Sequence, residues 1–279
     1  MSYTDPVATV TKIDPVEGYV GNEFTVSGSD FGIITEDVKV FIGSQEALVV
    51  SCADDAILAK VPESATNGKI TVEVFGQRVE TDLVYRVLGK PGVSVVKPSY
   101  GFPGASIVFE GQEFVSSKTL YTLTFGTSTD KAEIVGTPID TEFMAKIPET
   151  AVSGVMTLIM AEQTIDLASY PFTVLKHATL DTPKEDEPVP SGFAGSKFAI
   201  TGTNLVQELL DKSVEGLEPL KVTFSKAGGE PVEAAIDTDN LTDKSIPLTV
   251  PASLEAGDYT ITVITPFEAI GTQLKYTVL

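Results

Sequence analysis

The feature that most constrains this chain is that it repeats itself three times. Three segments end alike, in Leu83-Val84-Tyr85-Arg86-Val87-Leu88, Tyr170-Pro171-Phe172-Thr173-Val174-Leu175 and Leu274-Lys275-Tyr276-Thr277-Val278-Leu279. Each ending is preceded by an apolar strand that stops at a proline, Val61-Pro62, Ile147-Pro148 and Val250-Pro251, with a glycine six residues later at Gly68, Gly154 and Gly257. Earlier in each copy a pair of glycines brackets alternating apolar residues: Gly21 and Gly28, Gly104 and Gly111, Gly195 and Gly202. Self-similarity at a fixed period marks a chain built from a repeated structural unit. The copies are offset by 83 and then 91 residues, and the extra length of the third falls in 206–217, between Gly202 and Ser225. There Val206, Leu209, Leu210 and Val214 sit at near-helical spacing, which predicts a short surface helix.

In the first and third copies the apolar residues alternate. Val38, Val40 and Ile42, then Ile70, Val72 and Val74, then Tyr259, Ile261 and Val263 alternate with polar neighbours. Period two places one face of a strand in a core and the other in water. Short strands separated by Gly, Pro, Asn and Asp, about seven in 85–100 residues, read as an immunoglobulin-like β-sandwich. The reading is all-β: three tandem immunoglobulin-like sandwiches in an extended arrangement, over residues 1–89, 90–175 and 176–279. The linkers Gly89-Lys90-Pro91-Gly92 and Lys176-His177-Ala178 are too short to be loose tethers, so a stiff or semi-stiff rod is expected. The third copy, ending on a terminal strand, is expected to be complete.

Composition narrows the function. Nineteen Lys and Arg stand against 39 Asp and Glu, a formal charge of −20. Nucleic-acid binding needs clustered cations to displace counterions, so it is excluded, as is electrostatic docking on anionic lipid. One His and one Cys leave no catalytic base–nucleophile pair and no Cys/His metal site, and the chain is read as a non-enzyme without cofactors. Cys52 has no partner for a disulfide and is expected in a strand as a small apolar residue. Asp237, Asp239, Asn240 and Asp243 crowd one loop, and carboxylate oxygens suit calcium. The spacing lacks the central glycine and closing glutamate of an EF-hand, so no metal is assigned; the run Glu185-Asp186-Glu187 likewise reads as solvated. No apolar stretch reaches the length of a membrane helix, and Met1 to Pro6 carry no leader pattern.

Two sets of residues are candidates for contact with something else. Each copy places an aromatic two residues before its first marker glycine, Tyr19, Phe102 and Phe193, and the second adds Tyr100. A ring on a Gly-rich turn is a platform for the C–H face of a sugar or for a protein; the alternative is that these rings plug the end of each sandwich against its neighbour. In the second copy Met156, Leu158 and Met160 point inward, and Val155 and Ile159 stand where the other copies carry charge or hydroxyl, which suggests a covered face or a partner surface. Phe24, Phe41, Phe109, Phe125, Phe198 and Phe224 fall in strand patterns and are read mostly as core.

The combined pattern resembles the IPT/TIG domain, an immunoglobulin-like family. Ile13-Asp14-Pro15, Gly21, Phe24-Thr25-Val26-Ser27-Gly28, Phe31-Gly32, Val40-Phe41-Ile42-Gly43, Val61-Pro62 and Gly68 carry it in the first copy. Pro98, Gly104, Gly111, Phe114, Phe125-Gly126 and Ile147-Pro148 carry it in the second. The third departs, with Leu205 for the phenylalanine, Ser225 for the glycine and residues 184–190 inserted. Tandem repeats of this kind on an acidic, Cys-poor chain look like Bacteroidetes surface glycan-binding lipoproteins. That resemblance implies a monomer on the extracellular face of the outer membrane, held there only by a lipid anchor on a removed leader. It would capture polysaccharide or oligosaccharide for an uptake system, or space such a module, beside other outer-membrane uptake proteins. The alternative is a protein-interaction or adhesion module.

Overall fold

The computed structural model describes residues 7–184 and 186–279, with the backbone alone at 271–273; Met1 to Pro6 and Glu185, and so the readings that fell on them, lie outside the described residues. The chain is all-β, and among the described residues the only helices are three single 3-10 turns. It divides into two compact units, Met1–Phe172 and Thr173–Leu279.

In the first unit the strands up to Leu88 pair only with one another. Their order is Thr9–Asp14, Glu23–Ser29, Ala56–Lys60, Gln45–Ala53, Val38–Ile42, Gly68–Val74, Gln77–Leu88 and Glu17–Tyr19. The ladder folds into two facing layers because Gln45–Ala53 pairs with Ala56–Lys60 along one part and with Val38–Ile42 along another, with a register shift between Val49 and Ser51. Such a shift is where a strand can bend between layers. Inward residues of both layers, Phe24, Val26, Val40, Ile57, Ile70 and Val72 among them, close one core. The expected alternation is therefore present, and it is what sorts side chains between core and water.

The next set of strands builds its layers from Glu133–Ile139, Glu142–Lys146, Ser106–Gln112 and Gly92–Lys97 on one side. Tyr121–Thr124, Thr157–Met160 and Gln163–Ile165 form part of the other. Gly154–Val155 pairs with Pro171–Val174, and the chain then shifts at Met156 to pair with Tyr121–Thr124. Its core is aromatic: Phe109 stacks on Phe143 at 4.5 Å, and Phe125 meets Phe172 edge-on at 5.1 Å.

In the second unit Thr179–Leu180, Lys197–Thr203, Ser245–Thr249 and Ala235–Ile236 face a five-stranded layer, and Phe198 and Phe224 pack on Tyr276. The helix expected over 206–217 is absent. The carboxylate of Asp211 accepts both the N–H and the Oγ–H of Ser213, a local turn that competes with helical pairing, and Leu209 is buried in an irregular segment. Of the phenylalanines read as core, Phe41 and Phe198 are only half-buried, Phe41 beneath the Arg78 guanidinium at 5.6 Å.

One buried polar atom stands alone. Among the described residues the Tyr85 hydroxyl has no hydrogen-bond partner. It lies where a Cβ on Gly18 would come within 2.5 Å, so the strand Glu17–Tyr19 closes over it only because residue 18 has no side chain. A buried hydroxyl without a partner costs free energy that its removal recovers. Tyr85→Phe is therefore expected to leave stability unchanged or raise it by about 1 kcal/mol, read from urea denaturation midpoints. A loss of more than that would mean the hydroxyl is bonded in solution.

Candidate functional site

The predicted ring positions do not share one environment. Tyr19 is 3% exposed. Its strand, Glu17–Tyr19, runs parallel to the end of Gln77–Leu88, and its hydroxyl donates to the Glu113 carbonyl at 2.6 Å. Burial pushes its phenol well above the ordinary range, with the Glu113 carboxylate adding to the shift. A ring so placed offers no face to a sugar. It does what the alternative reading assigned to it and plugs the end of its sandwich against the next.

Around Tyr19 the joint is polar and specific. The Asn22 amide donates to the Ala161 carbonyl at 2.9 Å and accepts the Tyr19 N–H at 2.9 Å. Arg86 bridges the carboxylates of Glu17, at 3.2 Å, and Asp140. Glu17 also accepts the Ser116 N–H, and Glu113 accepts the Gly89 N–H at 2.8 Å. Glu113 and Ala161 both hold positive φ, turns that aim their carbonyls at the first sandwich. The sequence reading missed Glu17, Asn22 and Arg86. Their signal was a cation in a terminal strand where the other two copies carry Thr173 and Thr277.

The remaining predicted rings differ. Tyr100 and Phe102 are half-buried beside Gly101. Phe193, the positional equivalent of Tyr19, is 67% exposed. Val155 is exposed and Ile159 half-buried, while Met156, Leu158 and Met160 are buried as expected.

A second exposed ring was not anticipated. Phe75 and Gly76, with φ of 49° and 78°, make the two-residue turn that joins Gly68–Val74 to Gln77–Leu88. Such turns need positive φ at both positions and favour Asn-Gly or Asp-Gly. A phenylalanine there is strained, yet its ring is 65% exposed. Its N–H donates to the Asp37 carbonyl at 3.0 Å. The ring lies along Gly32, whose neighbours Ile33 and Ile34 are also exposed. The signal was legible as Phe-Gly in a hairpin position and Ile-Ile in a loop. Phe75→Asn is expected to raise stability by about 1 kcal/mol, because Asn tolerates the left-handed conformation, as measured by thermal or urea denaturation. A destabilised variant would mean that the ring packs on its neighbours in solution.

The other candidates form no reactive constellation. Cys52 lies in Gln45–Ala53, and burial, then the Asp54 carboxylate, raise its thiol above the ordinary value, which disfavours the reactive thiolate. His177 Nδ1 lies 2.8 Å from Glu268 Oε2. Asp237 accepts the Asn240 amide at 3.1 Å. Among the described residues no three of His, Cys, Asp and Glu gather to hold a metal, and no helix is long and apolar enough to cross a membrane. The concavities are shallow. One of about 500 Å³ is lined by Thr35, Lys39, Glu46 and Leu48 and carries no ring.

Residues 8–86 match the IPT/TIG domain. Mouse Fibrocystin-L is 28% identical over 220 residues, 76% of this chain and 5% of that protein. The chain thus spans about a twentieth of the length of the curated relatives it matches. Among solved structures, the plexin A4 extracellular region aligns with 95% of this chain and 22% of its own, at 15% identity and a TM-score of 0.43. The Bacteroides ovatus protein SGBP-B of a mixed-linkage glucan utilization locus, solved with a mixed-linkage heptasaccharide, aligns with 100% of this chain and 69% of its own, at 20% identity and a TM-score of 0.26.

Proposed function

We propose that this chain, whose first repeat is an IPT/TIG domain, is a non-enzymatic carbohydrate-binding part of a cell-surface protein. The observation that carries the reading is the pair of exposed phenylalanines, Phe75 and Phe193, each on a turn beside glycine, one of them held there against its backbone preference. Flat rings in water offer apolar faces to the C–H side of a sugar. The acidic surface and the lack of a nucleophile–base pair agree with capture rather than conversion. In finer terms, the reading is capture of polysaccharide at the outer face of a bacterial outer membrane for an uptake system, or the spacing of a module that does so.

Electrophoresis through gels containing a panel of plant, microbial and host polysaccharides tests this. Retardation by at least one polysaccharide is expected, weakened five- to tenfold, about 1 kcal/mol, by each of Phe75→Ala and Phe193→Ala. Tyr100→Ala and Phe102→Ala complete the series. No retardation in any gel would overturn glycan binding. A second reading, a protein-interaction module, is favoured by the joint itself: Tyr19 is covered by a neighbouring sandwich, while its equivalent Phe193 is not. Replacing Val155 by Lys and Ile159 by Thr is expected to abolish partner capture if that face is the contact, and unchanged capture would exclude it.

A further inference from the structure

The first strand of each sandwich covers the outer edge of the strand that ends at the second marker glycine. In the first sandwich the cover runs from Ser29 to Thr25, with Lys12, Ile13 and Asp14 opposite Ser27, Val26 and Thr25. In the next, Val95, Val96 and Lys97 lie opposite Glu110, Phe109 and Val108. In the third, Thr179–Leu180 reaches only Thr203 and Gly202, and the last bond of the ladder is the Asp181 N–H to the Thr201 carbonyl at 2.8 Å. Pro183 then ends the strand, three residues after Leu180, whereas the equivalent prolines fall five residues on, at Pro15 after Val10 and Pro98 after Val93.

The direction of the uncovered groups follows from the register. Ala199 lies opposite Pro247 on the inner neighbour, and the Pro247 carbonyl is turned away to accept the Asp237 N–H at 2.8 Å. The pair is therefore not a hydrogen-bonded one, and the N–H and C=O of Ala199 face the outer edge. Alternation turns Lys197 the same way and Gly202 the other, as its N–H donating to the Lys244 carbonyl shows. Among the described residues no backbone partner meets the outward groups of Lys197 and Ala199. Beside them lies a groove of about 230 Å³ lined by Pro183, Pro190, Phe198, Ile200 and Leu274. It opens opposite Ile200, where the first sandwich buries Ile13 opposite Val26.

We propose that this edge takes up an extended, basic peptide segment of another protein as an added antiparallel strand. An open edge supplies a ladder for backbone groups, and pockets beside it select alternate side chains. The charge favours a cationic occupant. Asp181 and Glu187 flank the groove, and residues 176–279 hold eight lysines against sixteen carboxylates. A second copy of this acidic chain fits poorly. The segments that close the equivalent edges show the form required: alternating apolar residues with a lysine, Lys12 or Lys97.

The test titrates the full chain into a fluorescent peptide with the sequence of residues 92–98, Gly-Val-Ser-Val-Val-Lys-Pro, following anisotropy. Saturable binding is expected, weakened about tenfold or more by N-methylation of alternate peptide amides, which removes the ladder while leaving the protein untouched. Replacing the peptide lysine by Glu is expected to weaken it about fivefold at low salt. Hydrogen exchange at the Lys197 and Ala199 amides should slow on binding. Absent saturable binding, equal binding of the N-methylated peptide, or protection confined to other amides would each overturn the proposal.

Discussion

Gly28→Ala and Gly111→Ala should each lower stability by about 3 kcal/mol or more, whereas Gly202→Ala should be markedly milder. A Cβ on Gly28 would lie 1.8 Å from the Thr9 carbonyl oxygen and 2.5 Å from the tip of the Phe31 ring. On Gly111 it would lie 2.1 Å from the Gly92 oxygen and 2.5 Å from the Phe114 ring. On Gly202 it would lie 2.0 Å from the Thr179 oxygen. The obstacle is backbone in every copy, so relief requires moving the first strand, not turning a side chain. In the first two copies that strand is bonded along its length, in the first it places Ile13 in the core, and the displaced ring belongs to a fully buried Phe31 or Phe114. In the third, the strand is two residues long and Leu205 replaces the ring, so the same clash is relieved by shifting less structure. Urea denaturation of the three variants should rank them in that order. A loss below about 1 kcal/mol at Gly28, or the largest loss at Gly202, would show that the first strand is not the element that the glycine admits.

The same contact explains why so much of the fold could be read in the sequence. A glycine whose added Cβ would fall about 2 Å from the carbonyl oxygen of the neighbouring strand leaves no alternative residue, so it recurs as a marker in each copy, and the alternating strands between markers follow from burying one face. What could not be read depends on partners distant in sequence. The burial of Tyr19 is decided by Glu113 and Ala161 of the neighbouring repeat, so three equivalent aromatics, Tyr19, Phe102 and Phe193, end in different surroundings. Spacing alone gave a helix at 206–217, because it counts apolar positions and does not see the Asp211 carboxylate closing a turn on Ser213. Phe75 was passed over although Phe-Gly in a hairpin position was legible: local preference argues against a phenylalanine in that turn, and departures from local preference gather at working surfaces. The short first strand of the third copy was legible in the early Pro183, but its meaning required the register that leaves Ala199 uncovered.

Arg86→Met should cost about 2 kcal/mol and uncouple the first two sandwiches. The substitution keeps most of the side-chain volume and removes the cation that joins Glu17 to Asp140. Glu17 is buried, and without Arg86 its carboxylate would retain the Ser116 N–H as its partner across the joint while facing Asp140 unscreened. Stripping the partner from a fully buried charge costs about 3–5 kcal/mol; Arg86 and Asp140 reach solvent, which lowers the figure toward the range of exposed pairs. The sign of the remainder is fixed by Glu17, the member that cannot reach water. Glu17→Gln in the Arg86→Met background should therefore restore more than half of the loss, since a neutral amide oxygen still accepts the Ser116 N–H and no longer repels Asp140. Calorimetry of the three proteins separates the cases, because a joint held by charge gives coupled melting in the parent, a split or broadened transition in Arg86→Met, and recovery in the double variant. If Arg86→Met melts as the parent does, the Asn22 and Tyr19 bonds suffice to hold the joint. If the loss appears without rescue by Gln at position 17, the packing of the Arg86 stem, rather than its charge, is what the first sandwich uses to hold the second.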